Sequence, residues 1–140
     1  MLPRVLIIDD DEDTLQLLTE LIAREGCEIS TALDAESALW EIGVARPHLL
    51  LIDIHLPDMN GVALLQELRA AGIQEPVVLL TAGGSTSLAL EGMQAGAFDL
   101  LNKPFLISDL RLVVRRALSL PREPPPPMSS PSDPFISGAA

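Results

Sequence analysis

Three short runs of consecutive apolar residues constrain the fold more than any other feature of this sequence. They are VLII (5–8), LLLI (49–52) and VVLL (77–80). An uninterrupted apolar run of this length is typical of a strand that is covered on both faces, as in the middle of a parallel sheet. Two further candidates, EIST (28–31) and FDLLN (98–102), are more polar and therefore suit the edges of such a sheet.

Helix-like patterns separate these strand candidates. Residues 11–26 place leucines at helical spacing on one face and end at a glycine, which suits the position just after a helix. We expect Asp34 to cap the second helix and Ser108 to cap the fifth. The fourth helical segment is weak, because Gly92 lies in its middle. Trp40, in the second helix, is expected to pack that helix against its neighbours.

Five alternating strand and helix units predict an α/β fold, a doubly wound parallel sheet with helices on both faces. The three apolar runs would form the centre of this sheet, and the two more polar candidates would form its edges. The strand order 2-1-3-4-5 follows from this placement. In such a sheet, ligands bind beyond the carboxyl ends of the strands.

The composition predicts one domain followed by a Pro-rich segment. Of the 140 residues, 48% are hydrophobic, which is enough for a mainly aliphatic core. Seven of the twelve prolines fall near the end of the chain, where they prevent regular structure. We therefore expect a domain over residues 1–120 and a linker or disordered tail over residues 121–140. The only cysteine, Cys27, excludes an intrachain disulfide, fits a reducing compartment and is expected to be buried or half-buried.

The charge and the apolar pattern exclude several classes of function. A net charge of −11 argues against direct nucleic-acid binding by this segment, which relies on basic residues that neutralise phosphates. The first residues reach acidic side chains too early for a signal peptide, and no apolar run approaches the ~20 residues that cross a bilayer. These features predict a cytoplasmic protein that does not enter a membrane.

Polar side chains follow four of the five predicted strands. The first strand leads into Asp9 and Asp10, and the third into Asp53. The fourth strand leads into Thr81, and the fifth is followed by Lys103, the only lysine of the chain. Because parallel strands end at the same edge of a sheet, we expect these side chains to meet there.

Such a group of side chains has a specific chemistry. Two carboxylates ~4 Å apart repel by roughly 4 kcal/mol at an effective dielectric constant of 20, so a cation is favoured among them. Mg²⁺, or Mn²⁺ in its place, suits oxygen ligands and keeps several waters. A carboxylate can also act as the nucleophile in phosphoryl transfer and form an aspartyl phosphate. In that reaction Lys103 would supply positive charge and Thr81 a hydroxyl donor.

Four sequence blocks resemble the signature segments of the response-regulator receiver domain of two-component systems, in residue type and in order. The resemblance covers about residues 3–120 and implies the flavodoxin-like fold of CheY-like receivers. The blocks are VLIIDDDE (5–12), LLLIDIHLPDMNG (49–61), VVLLTAGG (77–84) and GAFDLLNKPF (96–105).

The resemblance assigns a role to each acidic residue at the sheet edge. It implies that Asp53 is the phospho-accepting aspartate and that Asp9 and Asp10 are the acidic pair. It also implies a Mg²⁺ site, with Asp10 as the direct ligand of that pair. Asp53 and the backbone carbonyl of His55 would complete the protein ligands.

The resemblance also implies a switch. Thr81 would be the switch hydroxyl and Lys103 the charge partner of the phosphoryl group, turned inward by a cis bond before Pro104. One departure concerns the aromatic residue that many receivers carry three residues before the lysine, since this chain has Leu100 there. Phe98 is nearby but lies out of phase with that position.

The function that follows is a phosphorylatable receiver rather than a turnover enzyme. Its partner would be a histidine kinase or a histidine phosphotransfer protein. A homodimer could form through the face of helix 4, strand 5 and helix 5. In that helix, Arg111, Arg115 and Arg116 would form ion pairs across the dimer or would be solvated.

Alternatives to this function remain open. A Mg²⁺-dependent phosphatase would carry its aspartate nucleophile after the first strand, although such enzymes usually need a longer chain for a substrate cap. A receiver could also act unphosphorylated, as an interaction module only. The acidic run also mimics a calcium loop, but Thr14 stands where that loop needs glycine, and Asp11 suits a helix cap better.

Overall fold

Five parallel strands form one sheet in the order β2-β1-β3-β4-β5, as the apolar runs predict. The computed structural model describes residues 2–83 and 86–120. The strands are β1 (Arg4–Ile8), β2 (Glu28–Ala32), β3 (Leu49–Asp53), β4 (Val77–Thr81) and β5 (Asp99–Asn102). Every residue of β3 and β4 is buried, so the continuous apolar runs do mark strands covered on both faces.

Helices follow the strands and cover both faces of the sheet. They are α1 (Glu12–Ala23), α2 (Ala35–Val44), α3 (Gly61–Ala70), α4 (Thr86–Gln94) and α5 (Ile107–Leu118). One core cluster joins the sheet to α1 and α5, and a second joins it to α2, α3 and α4. Alternate residues of β1 divide between them, with Ile7 in the first cluster and Ile8 in the second.

The fourth helix forms although glycine weakens it. Gly92 is the buried residue of α4, and a Cβ at this position would collide with the side chain of Leu79 in β4. The missing side chain therefore lets α4 lie close to the sheet. The packing of α4 against the sheet therefore stabilises the helix more than its own residue propensities do.

The helix starts confirm two predicted caps and contradict one. Asp11 and Asp34 each accept a hydrogen bond from a backbone N–H in the first turn of their helix. The prediction that Ser108 caps α5 is wrong. Leu106 is the N-cap, without a side-chain hydrogen bond, because α5 already begins at Ile107 and Ser108 lies inside the first turn.

The prediction for Trp40 is also wrong, since this residue is 67% exposed. Helix α2 lies on the sheet through Ala35 and Ala38, which are buried and small. Trp40 is two residues from Ala38, about 200° around the helix, and therefore faces away from the core. Cys27 is buried as predicted.

Within the described ranges, no helix is long and apolar enough to cross a membrane. The predicted Pro-rich linker or tail, residues 121–140, lies outside the described residues.

Candidate functional site

The carboxyl edge of the sheet brings together the polar residues that the sequence places at the strand ends. Asp9 directly follows β1, Asp53 ends β3 and Thr81 ends β4. All three are buried, with exposed fractions of 0%, 5% and 2%. The edge therefore holds two carboxyl groups and a hydroxyl that are almost completely removed from water.

Lys103 connects these groups. Its Nζ donates hydrogen bonds to Asp9 Oδ2 at 2.6 Å and to Asp53 Oδ2 at 3.0 Å. The bond between Lys103 and Pro104 is cis, as the family resemblance implies. The backbone N–H of Lys103 also donates to the Thr81 carbonyl at 2.6 Å, which extends the strand pairing to this residue.

The second oxygen of each buried carboxylate is held by the backbone. Asp9 Oδ1 accepts from the N–H of Asp11, and Asp53 Oδ1 accepts from the N–H of His55, each at 2.9 Å. Asp10 is exposed beside them. Asp9, Asp10 and Asp53 each offer one carboxylate oxygen such that the three oxygens lie within 4.8 Å of one another. Three convergent carboxylate oxygens form a donor set that fits Mg²⁺.

Burial and charge shift the pKa values of this site. Burial raises the pKa of Asp9, and the negative charge of Asp53 acts in the same direction, whereas the hydrogen bond from Lys103 opposes both. Burial alone would lower the pKa of Lys103, but the hydrogen bonds to Asp9 and Asp53 and the negative charges of these two groups together outweigh burial and raise that pKa. Lys103 is therefore a permanent cation at neutral pH.

Comparison with known proteins identifies the family. The family model of the response regulator receiver domain matches residues 5–115. The chain belongs to the response regulator receiver family. The regulatory protein AtoC of Escherichia coli (strain K12) is 37% identical over 117 residues, which are 84% of this chain and 25% of that protein. PrrA of Mycobacterium leprae, a transcriptional regulatory protein, is 39% identical over 116 residues, 83% of this chain and 50% of that protein.

Solved structures agree with the fold of this receiver. The crystal structure of the receiver domain of NtrX from Brucella abortus has a TM-score of 0.77 and 37% sequence identity, and the match covers 81% of this chain and 97% of that one. A putative response regulator from Chloroflexus aurantiacus has a TM-score of 0.80 at 32% identity, covering 86% of this chain and 100% of that one. The chain spans only a quarter to a half of the length of AtoC and PrrA.

The residues that the resemblance implies as a switch differ from the common aromatic pattern. Thr81 Oγ1 accepts a hydrogen bond from the N–H of Gly83 at 3.2 Å, so the hydroxyl holds the start of the connection to α4. Leu100 is partly buried and packs on the core cluster of α2, α3 and α4. Phe98 packs on the cluster of α1 and α5 instead, so it does not occupy the place of the missing aromatic residue.

Two of the three arginines of α5 form ion pairs within the chain, whereas Arg116 is exposed, as the solvated alternative predicts. Arg111 and Arg115 pair with Glu25, just after α1 in the same chain, at 3.2 and 2.7 Å. The two helices are adjacent, but the pairing joins residues 86 and 90 positions apart. No local pattern in the sequence marks such a pair.

Asp58 is a second residue whose contacts the sequence did not indicate. It follows Pro57 in a stretch typical of a turn, yet its carboxylate accepts hydrogen bonds from the N–H groups of Ala35 and Glu36 at the start of α2. In the sequence, the only signal of this contact is an acidic residue in the loop after Asp53. Its partners lie 22 and 23 positions away.

Proposed function

We propose that this receiver accepts a phosphoryl group on Asp53 from a histidine kinase or a histidine phosphotransfer protein. The observation that carries the proposal is the position of Lys103, whose ammonium group contacts Asp9 and Asp53 together at the carboxyl edge of the sheet. A cation held in this position can neutralise charge on a phosphoryl group that reaches Asp53. The family supports the same function, because its members are response regulators.

In the proposed transfer, a carboxylate oxygen of Asp53 attacks phosphorus while the bond from phosphorus to the donor imidazole breaks. The imidazole nitrogen keeps the electron pair of the broken bond and then takes up a proton from solvent. Lys103 would shift from the carboxylates towards the phosphoryl oxygens, and the Thr81 hydroxyl would donate to one of them. The protein contributes mainly position and charge neutralisation, as phosphoryl transfer requires.

Asp9, Asp10, Asp53 and the backbone carbonyl of His55 would hold Mg²⁺, or Mn²⁺ in its place. When bound, the ion would supply positive charge beside the reacting carboxylate. Asp10 is the exposed member of this set, so an ion that arrives from solvent can reach its carboxylate directly. The hydrogen bonds that Asp9 and Asp53 accept from Asp11 and His55 fix the direction of the buried carboxylates in advance.

Phosphorylation would act as a signal rather than as a step in substrate turnover. It adds roughly −1.5 to −2 charge, by analogy with phosphorylated hydroxyls. If the Thr81 hydroxyl turned towards the phosphoryl group, it would shift the connection to α4, because Thr81 Oγ1 accepts a hydrogen bond from the N–H of Gly83. We propose the face of α4, β5 and α5 as the surface that changes, and as a homodimer contact. Leu90, Met93 and Leu112 are exposed apolar residues on the two helices of this face.

The test is phosphorylation of the purified chain by acetyl phosphate and Mg²⁺, read by intact mass and by mapping of the labelled peptide. We expect one label on Asp53, and no label on the Asp53→Asn variant. Asp11→Asn is the matched control, because it alters a neighbouring acid that caps α1. A label within residues 9–13 would instead support the phosphatase alternative. A chain that takes no label from acetyl phosphate or from phosphorylated kinases would support the interaction module.

A further inference from the structure

We propose that Asp58 is a positioning residue that fixes the loop after Asp53 against the first turn of α2. The loop comprises residues 54–60 and connects β3 to α3. The inference rests on the proposed function, since it concerns how the Asp53 site keeps its geometry. It assigns Asp58 no contact with a phosphoryl group or an ion.

The contact between Asp58 and α2 uses both carboxylate oxygens. Oδ1 accepts from the N–H of Ala35 and Oδ2 from the N–H of Glu36, each at 3.0 Å. These are the first two residues of α2, and backbone N–H groups in a first helical turn have no partner within the helix. A carboxylate is favoured there because it also meets the positive end of the helix dipole.

Two carboxylates from different parts of the chain therefore accept hydrogen bonds from the first turn of α2. Asp34, the N-cap, comes from the same segment and accepts from the N–H of Ser37 at 2.8 Å. Asp58 comes from the loop of the Asp53 site. The cap by Asp34 explains why the helix starts where it does, whereas the contact of Asp58 ties that start to another part of the molecule.

The loop is also closed at its base. His55 and Asn60 form an isolated antiparallel bridge, and the N–H of Gly61 donates to the Ile54 carbonyl at 2.7 Å. Gly61 lies so close to Asp53 that a Cβ would collide with the Asp53 carbonyl oxygen. The base of the loop is thus fixed beside Asp53 at the start of α3. Asp58 holds the outer part of the same loop against α2.

The path of this loop sets two atoms of the proposed site. The N–H of His55 holds Asp53 Oδ1 at 2.9 Å, and the His55 carbonyl is the proposed backbone ligand of Mg²⁺. A loop released from α2 would be held only at its base, so the His55 carbonyl would sample more positions and ion binding would weaken. Loss of a group that orients a metal ligand typically weakens binding about 10- to 100-fold.

The experiment is a Mg²⁺ titration of the full ¹⁵N-labelled chain, followed by amide shifts of Asp11 and His55. The variants are Asp58→Ala, Asp58→Asn and Asp34→Ala, and thermal unfolding checks that each is folded. We expect Asp58→Ala to raise the Mg²⁺ dissociation constant about tenfold, and Asp58→Asn, which keeps one acceptor oxygen, to raise it less. Asp34→Ala removes a cap from the same helical turn and should leave the constant within about twofold.

The outcomes separate this proposal from the proposed function. Wild-type affinity in Asp58→Ala would overturn the positioning role, and so would an equal loss in Asp34→Ala, because the effect would then belong to α2 stability. A wild-type chain that shows neither Mg²⁺-dependent shifts nor a label on Asp53 would overturn the proposed function itself. Saturating Mg²⁺ should restore labelling of Asp53 in Asp58→Ala, because the substitution leaves the reacting groups in place.

Discussion

At the scale of single residues, the contact between Gly61 and the backbone of Asp53 is among the tightest constraints on the site. We predict that Gly61→Ala destabilises the fold by about 1–3 kcal/mol, because the new methyl group meets a carbonyl oxygen that cannot move without shifting β3. The free energy of unfolding in urea measures this effect. The same variant should label more slowly on Asp53.

Gly43 is the matched control for this prediction. It also lies in a helix, but a Cβ there meets no atom within 4 Å. Gly43→Ala should therefore be neutral or stabilise by up to about 1 kcal/mol, since alanine is the better helix former. If both variants lost stability equally, the close approach at Gly61 would not be the cause.

At the scale of the elements, the start of α5 lacks a side-chain cap, so a substitution there can stabilise the helix. Its N-cap is Leu106, which has no side-chain hydrogen bond to the first turn. We predict that Leu106→Asp stabilises the protein by about 0.5–1 kcal/mol, measured by urea unfolding, because an aspartate there can accept from an unpaired N–H. Ser108→Ala should change the stability by less than about 0.5 kcal/mol. A larger loss of unfolding free energy in Ser108→Ala would show that the Ser108 side chain does cap α5.

The ion pairs between α1 and α5 give a prediction with a defined pH dependence. The hydrogen bond from Arg115 holds the pKa of Glu25 below its ordinary value of 4.5, and the charges of Arg115 and Arg111 add to this. A carboxyl group whose pKa is lower in the folded state stabilises the fold above its unfolded pKa and loses this contribution as the pH falls through the folded value.

Glu25→Gln should therefore have a lower melting temperature than the wild type at pH 7, and the difference should shrink below about pH 4.5. Glu28→Gln is the control, because Glu28 is an exposed acid that lies nearby in the sequence. A difference that stayed constant down to pH 3 would mean that packing, rather than charge, explains the effect of Glu25.

The elements also show what the sequence can predict and where it fails. Strand positions and order followed from apolar runs, because burial on both faces leaves a local signature. The groups around Lys103 met because parallel strands share one edge, which is a property of topology. The contacts of Asp58 and Glu25 join segments that are distant in the sequence, so no local sequence pattern predicts them. The prediction for Trp40 fails because hydrophobicity predicts burial only on average, whereas the buried alanines decide which face of α2 meets the sheet.

At the scale of the whole molecule, the proposed ion site links two distant parts of the chain. Asp9 and Asp10 follow β1, whereas Asp53 and His55 come from the end of β3 and the loop beyond it, so the site exists only in the folded state. An ion that binds only the folded state stabilises it by about 2.7 kcal/mol at 100 times its dissociation constant. We predict that Mg²⁺ raises the melting temperature of the wild type and has a much smaller effect on Asp10→Asn.

The control must separate binding from screening, since a chain with a net charge of −11 gains stability from any salt that reduces its self-repulsion. NaCl at equal ionic strength screens in this way without occupying a site that requires a divalent ion. Asp10 is exposed, so its substitution by asparagine should cost little stability in the absence of Mg²⁺. If Mg²⁺ raised both melting temperatures equally, and no more than NaCl does, the three carboxylates would hold no ion and Lys103 alone would balance their charge.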